Sequence, residues 1–301
     1  MSSVRTARAA ARPRFADKLG DYVTLTKPEV TFLVVVCALV GFVVGSVGPL
    51  HLGRLLVVVA GTGLVAAGTA ALNMVIERAD DGLMRRTSRR PIPAGRIRPA
   101  SALAYGLALA AAGGAGLWVV VNPLASVLAL AALAVYLLAY TPLKKRTFLC
   151  TAVGAVPGAI SPLIGWAGAR GTLGAEAWML FAIQLVWQFP HFLAIAWMYR
   201  EDYARGGMLM LAPGDGAGDV TFRQIVISSV LLVPASLLPA ILGPASLVYA
   251  AAAIVLGTAL LLVSLDAASR RTAARAKVLL HASVAYLPLL FIVLMLDRLA
   301  S

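Results

Sequence analysis

The chain has 301 residues, of which 60% are apolar and 13% charged, against roughly a quarter charged in an ordinary soluble domain; that composition excludes a water-soluble globule. The charge is lopsided, with 26 Lys and Arg against 13 Asp and Glu for a net of +13. Two cysteines, Cys37 and Cys150, lie in or beside apolar runs, which excludes a disulfide framework or a structural zinc site and reads as small buried hydrophobes.

Residues 1–20 come first and read as a disordered basic arm lying near anionic headgroups, since Arg5, Arg8, Arg12 and Arg14 have no acid among them. An organellar transit peptide is the alternative. From residue 21 to 301 the chain reads as a single domain. Nine apolar segments follow, at 30–49, 53–72, 101–121, 123–141, 149–168, 175–197, 223–242, 244–265 and 278–297. Each is close to the roughly 20 residues that a hydrocarbon core requires, so the predicted fold class is an all-α polytopic membrane protein with about nine transmembrane helices in a bundle.

The connections alternate between long charged loops and short ones built on Asn122-Pro123 or Gly243-Pro244. On one side stand 23 of the 26 basic residues, the exceptions being Arg54, Arg170 and Arg298. The positive-inside rule then places the N-terminus and the long loops in the cytoplasm and the C-terminus opposite, in a bacterial inner membrane rather than a mitochondrial one. The basicity is thereby assigned to orientation, and no nucleic-acid partner is expected. No predicted span carries Asp, Glu, Lys or Arg in its interior, which argues against an ion-coupled carrier and points to chemistry on a polar group held at the membrane surface.

The second span runs out of the membrane into Asn73-Met-Val-Ile-Glu77-Arg-Ala-Asp80-Asp81, followed by Arg86-Thr87-Ser88-Arg89-Arg90-Pro91. On a helix, steps of four residues put Asn73, Glu77 and Asp81 on one slowly drifting stripe, with Asp80 beside it. An amide and two or three carboxylates there suit a hard divalent cation such as magnesium, and Arg86 and Arg90 could clamp phosphate oxygens. The competing reading is a solvated helix end with local pairs such as Glu77 with Arg78 or Arg85.

This stretch resembles the first aspartate-rich motif of the UbiA-type intramembrane prenyltransferases, and the Arg-Thr-x-x-Arg-Pro continuation is similar to the branch of that family that farnesylates haem. Leu25-Thr26-Lys27-Pro28, Tyr140-Thr141-Pro142-Leu143-Lys144-Lys145-Arg146-Thr147, Trp187-Gln188-Phe189-Pro190-His191-Phe192 and Trp197 through Gly207 agree with it. Two positions depart: Glu77 stands where many members carry Asp, and Met198 replaces the first acid of the second motif, leaving Asp202 as its carboxylate, with Glu201 beside it. Asp81 and Asp202 are 121 positions apart in number, in keeping with a design of two halves.

The resemblance implies transfer of farnesyl from farnesyl diphosphate to a vinyl group of haem B, with addition of water, to give haem O and diphosphate, in a central cavity open to the cytoplasmic side. It implies Asn73, Glu77, Asp81 and Asp202 as catalytic residues, with Mg2+ held by Glu77, Asp81 and Asp202 and the diphosphate by Arg86, Arg90, Lys144 and Lys145. His191 and His281, in the cytoplasmic halves of spans six and nine, are candidate haem contacts. Gln184, Gln188 and Tyr286 read as interhelical hydrogen-bonding groups, and Lys27 as a snorkelling side chain at a helix start. The lipid bilayer and a membrane partner that receives haem O are the other expected partners. The alternatives are prenylation of a quinone precursor or chlorin and, in a different class, a non-catalytic haem-handling carrier.

Overall fold

The computed structural model describes residues 15–300. Among them nine helices are long and apolar enough to cross a membrane: Pro28–Gly45, Leu52–Ile76, Pro99–Val121, Pro123–Leu143, Cys150–Arg170, Ala175–Met198, Asp219–Ile241, Leu247–Arg270 and Ala273–Ala300. They are the first to ninth spans below, and the described residues contain no strand. Several ends lie beyond the apolar run: the second span continues to Ile76, the seventh starts at Asp219 and the ninth at Ala273. Backbone hydrogen bonding does not stop where side chains meet water, so helices outlast the hydropathy that reveals them. A helix runs from Phe15 to Leu25, across the end of the stretch 1–20 that the sequence predicts as a basic arm; residues 1–14 of that stretch lie outside the described residues.

Close backbone approach holds the first half together. The first span packs on the fifth so tightly that a Cβ at Gly165 would come 1.8 Å from the carbonyl oxygen of Ala38, and one at Gly113 would come 2.5 Å from that of Gly61, between spans three and two. With lipid as apolar as the side chains, contact of this kind is what drives helices together. The fifth span is divided at Ile160 into Cys150–Ala159 and Ser161–Arg170, because Pro157 and Pro162 each withhold an amide from the helical ladder. Spans six to nine form the second half around Trp187, Ile225, Leu232, Tyr249, Leu260, Tyr286 and Phe291.

Two features position the site. Spans two and six are each followed by a helix of six residues, Arg78–Leu83 and Arg200–Arg205, and these carry Asp81 and Asp202, as the fourth and the third residue respectively. The last turns of the fourth span, Val135–Tyr140, are π-helical, a widened geometry found often at functional sites; here it carries Tyr136 and Tyr140 up to the charged loops.

Candidate active site

The stripe of Asn73, Glu77 and Asp81 forms as its spacing predicts. The amide of Glu77 donates to the carbonyl of Asn73 at 2.9 Å and that of Asp81 to the carbonyl of Glu77 at 2.8 Å, so helical geometry carries across the junction at Glu77. All three side chains are buried, Asn73 and Asp81 completely. The Asn73 side chain accepts from Lys27 Nζ at 2.9 Å and donates to Thr141 Oγ1 at 3.2 Å. Glu77 is paired with Lys144 at 2.7 Å, whose ammonium lies 4.5 Å from the centre of the Tyr140 ring. Burial alone would raise the Glu77 carboxyl, but the Lys144 and Lys27 cations outweigh it and hold it below its ordinary value. These contacts displace the local pairing weighed above: Arg78 donates to the carbonyl of Val75 instead.

Arg90 returns to Asp81, with Nη1 at 2.8 and 2.7 Å from its two carboxylate oxygens. The turn that brings it back is held by Thr87, whose hydroxyl donates to the Asp81 carbonyl at 2.9 Å, and by Ile92 and Ile97, buried against Leu25, Ala71, Met74 and Ala102. The Arg-Thr-x-x-Arg-Pro pattern thus has a physical account: Thr87 closes the turn and Arg90 covers the carboxylate. Arg86 is exposed and lies over the Tyr199 ring at 4.7 Å, and Lys145 pairs with Asp80 at 2.7 Å.

Asp202 joins the two halves. It accepts from the backbone amides of Arg85 at 3.0 Å and Arg86 at 3.4 Å and is paired with Arg205. Burial works against its charge, but the hydrogen bonds from Arg205 and the two amides prevail and lower its carboxyl. Among the described residues, no three of Asp, Glu, His and Cys gather into one cage, so Glu77, Asp81 and Asp202 do not meet as a bare carboxylate cluster. Each carboxylate instead has a cation of its own, which offsets its buried charge. The donor set along the stripe and at Asp202 is nonetheless all oxygen, which fits magnesium and not a soft metal.

The two histidines part company. His191 is half-buried, stacked on Trp187 with ring centres 4.8 Å apart, and its Nδ1 lies 2.9 Å from Ser283 Oγ. His281 is exposed on the ninth span, because it stands two residues from Ser283 and so about 200° around the helix from the face that meets His191. It does not share the His191 site. Gln184 donates to the Gly158 carbonyl, Gln188 to that of Ala155, and Tyr286 shares a hydrogen bond with Ser236 at 2.6 Å, all as interhelical links.

Lys27 is the residue that the sequence reading undervalued. It sits with φ at 45° between the N-terminal helix and the first span, a left-handed backbone that a non-glycine residue keeps only when its surroundings demand it. Its ammonium reaches Asn73, and burial, with Arg90 adding to it, pushes its pKa down to about 7. The signal available in sequence was the Lys-Pro pair ahead of an apolar run, which a snorkelling lysine explains equally well.

Residues 34–291 match the model of the UbiA prenyltransferase family. The chain is 46% identical to a protoheme IX farnesyltransferase of Solibacter usitatus, over 93% of this chain and 99% of that protein. It is also 46% identical to one of Koribacter versatilis, over 99% of each. Among solved structures, one of a digeranylgeranylglyceryl phosphate synthase superposes with a TM-score of 0.77 at 15% identity, covering 94% of this chain and 99% of that one. A UbiA homologue from Archaeoglobus fulgidus bound to GPP and Mg2+ superposes with a TM-score of 0.65 at 16% identity, covering 91% and 99%.

Proposed function

Since the chain belongs to the UbiA prenyltransferase family, we propose that it transfers the farnesyl group of farnesyl diphosphate to a vinyl group of haem B, with addition of water, giving haem O and diphosphate. The acceptor follows from the relatives that share 46% identity over nearly the whole chain, each a protoheme IX farnesyltransferase. The observation that carries the site is the junction of the two halves: Asp202 of one is bonded to the amides that directly follow the Asp81 helix of the other.

Glu77, Asp81 and Asp202 would hold magnesium, and Asn73 orients Lys27 beside them. Magnesium, when bound, withdraws charge from the departing diphosphate. Arg86, Arg90, Lys144 and Lys145 supply cations to the same oxygens, where charge grows as the bond from carbon to oxygen breaks. The farnesyl carbon then bonds to the terminal vinyl carbon, water adds to the inner one, and a proton leaves. The apolar walls of the bundle keep water from the allylic cation before the vinyl group meets it. His191 contacts the haem from the sixth span. The chain from residue 21 onward acts as one intramembrane domain, in a bacterial inner membrane with its charged loops in the cytoplasm, and passes haem O to a membrane partner.

The test supplies the purified protein in lipid with haem B, farnesyl diphosphate and magnesium and weighs the extracted pigments. Haem carrying a hydroxyethylfarnesyl group is expected, and Asp81→Asn abolishes it. Prenylation of quinone precursors or chlorins in its place overturns the acceptor, and haem transfer across the bilayer without prenylation overturns the enzyme.

A further inference from the structure

One hydroxyl proton decides the state of His191. Ser283 is fully buried, and its hydroxyl donates to the carbonyl of Leu280 at 2.7 Å. A carbonyl can only accept, so the single proton of that hydroxyl is committed, and Ser283 Oγ has only a lone pair left for the ring nitrogen 2.9 Å away. With the hydroxyl proton on the Leu280 carbonyl, the arrangement favours the tautomer with the proton on His191 Nδ1 and the lone pair on Nε2. The ring cannot turn to exchange them: Trp187 stacks on one face with the planes 23° apart, and Phe192 meets it edge-on at 5.5 Å. The indole of Trp187 is itself tied to the backbone carbonyl of Ser283 at 2.7 Å. Among the described residues Nε2 has no hydrogen-bond partner.

We propose that Ser283 is a positioning residue for the acceptor: by accepting from Nδ1 it fixes the His191 tautomer in which Nε2 faces an incoming haem and ligates its iron. An imidazole that binds iron through one nitrogen and is anchored through the N–H of the other is the usual arrangement for metal-ligating histidine. This role of Ser283 rests on haem being the acceptor.

The test titrates ferric haem B into the protein in nanodiscs and follows the Soret band, beside steady-state kinetics. Wild type shows a histidine-ligated spectrum that His191→Ala loses. Ser283→Ala and the similarly sized Ser283→Cys, a poor acceptor, weaken haem affinity by about tenfold or more and raise KM for haem, with KM for farnesyl diphosphate unchanged; Ser283→Thr, which keeps the hydroxyl, restores the wild-type spectrum. A Ser283→Ala or Ser283→Cys protein with wild-type haem affinity and spectrum overturns the inference, as does a folded Ser283→Thr protein no better than Ser283→Cys. Farnesyl transfer to haem that is indifferent to Ser283 sinks the inference alone. Ser283-dependent ligation without any transfer sinks the proposed reaction and leaves the inference standing.

Discussion

Glu77 and Lys144 meet at 2.7 Å with side chains 7% and 9% exposed, so neither ion can turn to water if its partner is removed. Glu77→Gln or Lys144→Met alone leaves a buried charge uncompensated, at a cost of about 3–5 kcal/mol. The double variant removes both charges, and its melting temperature in detergent is expected to recover towards wild type while activity stays absent. Asp81 has the same dependence on Arg90, which lies 19% exposed at the rim. Arg90→Lys is expected to keep the protein folded but raise KM for farnesyl diphosphate about tenfold, because an ammonium cannot replace the planar guanidinium at phosphate oxygens. At this scale the sequence was legible where spacing carries geometry: residues 73, 77 and 81 had to share a face. It was not legible where the partner comes from another span. Nothing in the spacing shows that Lys144 is bonded to Glu77, and Lys27 lies 46 positions from the Asn73 that it meets.

The seventh span shows how an element end is set by a single carboxylate. Asp215 accepts from the amides of Val220 and Thr221 at 2.9 Å each and from the Thr221 hydroxyl, satisfying orphan donors of the first helical turn. Its burial is opposed by those hydrogen bonds and by Arg271, and the balance holds its carboxyl below the ordinary value. A depressed carboxyl contributes stability above the ordinary carboxylate range and loses it as pH falls through the lowered value. Amide exchange at residues 219–222 is therefore expected to quicken in acid below about pH 4, and Asp215→Ala to bring the same opening to neutral pH at a cost of about 1 kcal/mol. Hydropathy could not place this end, since Asp215 lies ahead of the apolar run. It located all nine spans because each is long and apolar, but missed the break at Ile160, where only the neighbouring prolines mark it. Gly165→Ala at the first and fifth span contact forces a Cβ into the Ala38 carbonyl, and a lower melting temperature with a smaller yield of folded protein is expected.

For the whole molecule, the two halves are joined at the charged face by Asp202 and the Arg85 and Arg86 amides, whereas the sites proposed for diphosphate and for haem draw on different elements. Chelation of magnesium is accordingly expected to abolish farnesyl transfer and to leave the haem spectrum intact, read on one sample by mass spectrometry and absorption. The loops whose charge predicts the orientation also carry the candidate site, so charge counting could reveal the face but not the pairs within it. Those pairs have a consequence for turnover. Three acids, each matched to a base, leave no bare carboxylate on a face that is otherwise strongly basic. In the proposed reaction the acids would turn to the metal, and Lys144 and Arg90 to the oxygens of the arriving diphosphate. On departure of both, the same acids and bases would close on one another again, in competition with the product for its contacts. The chain would thus supply from its own side chains the charges that release the product.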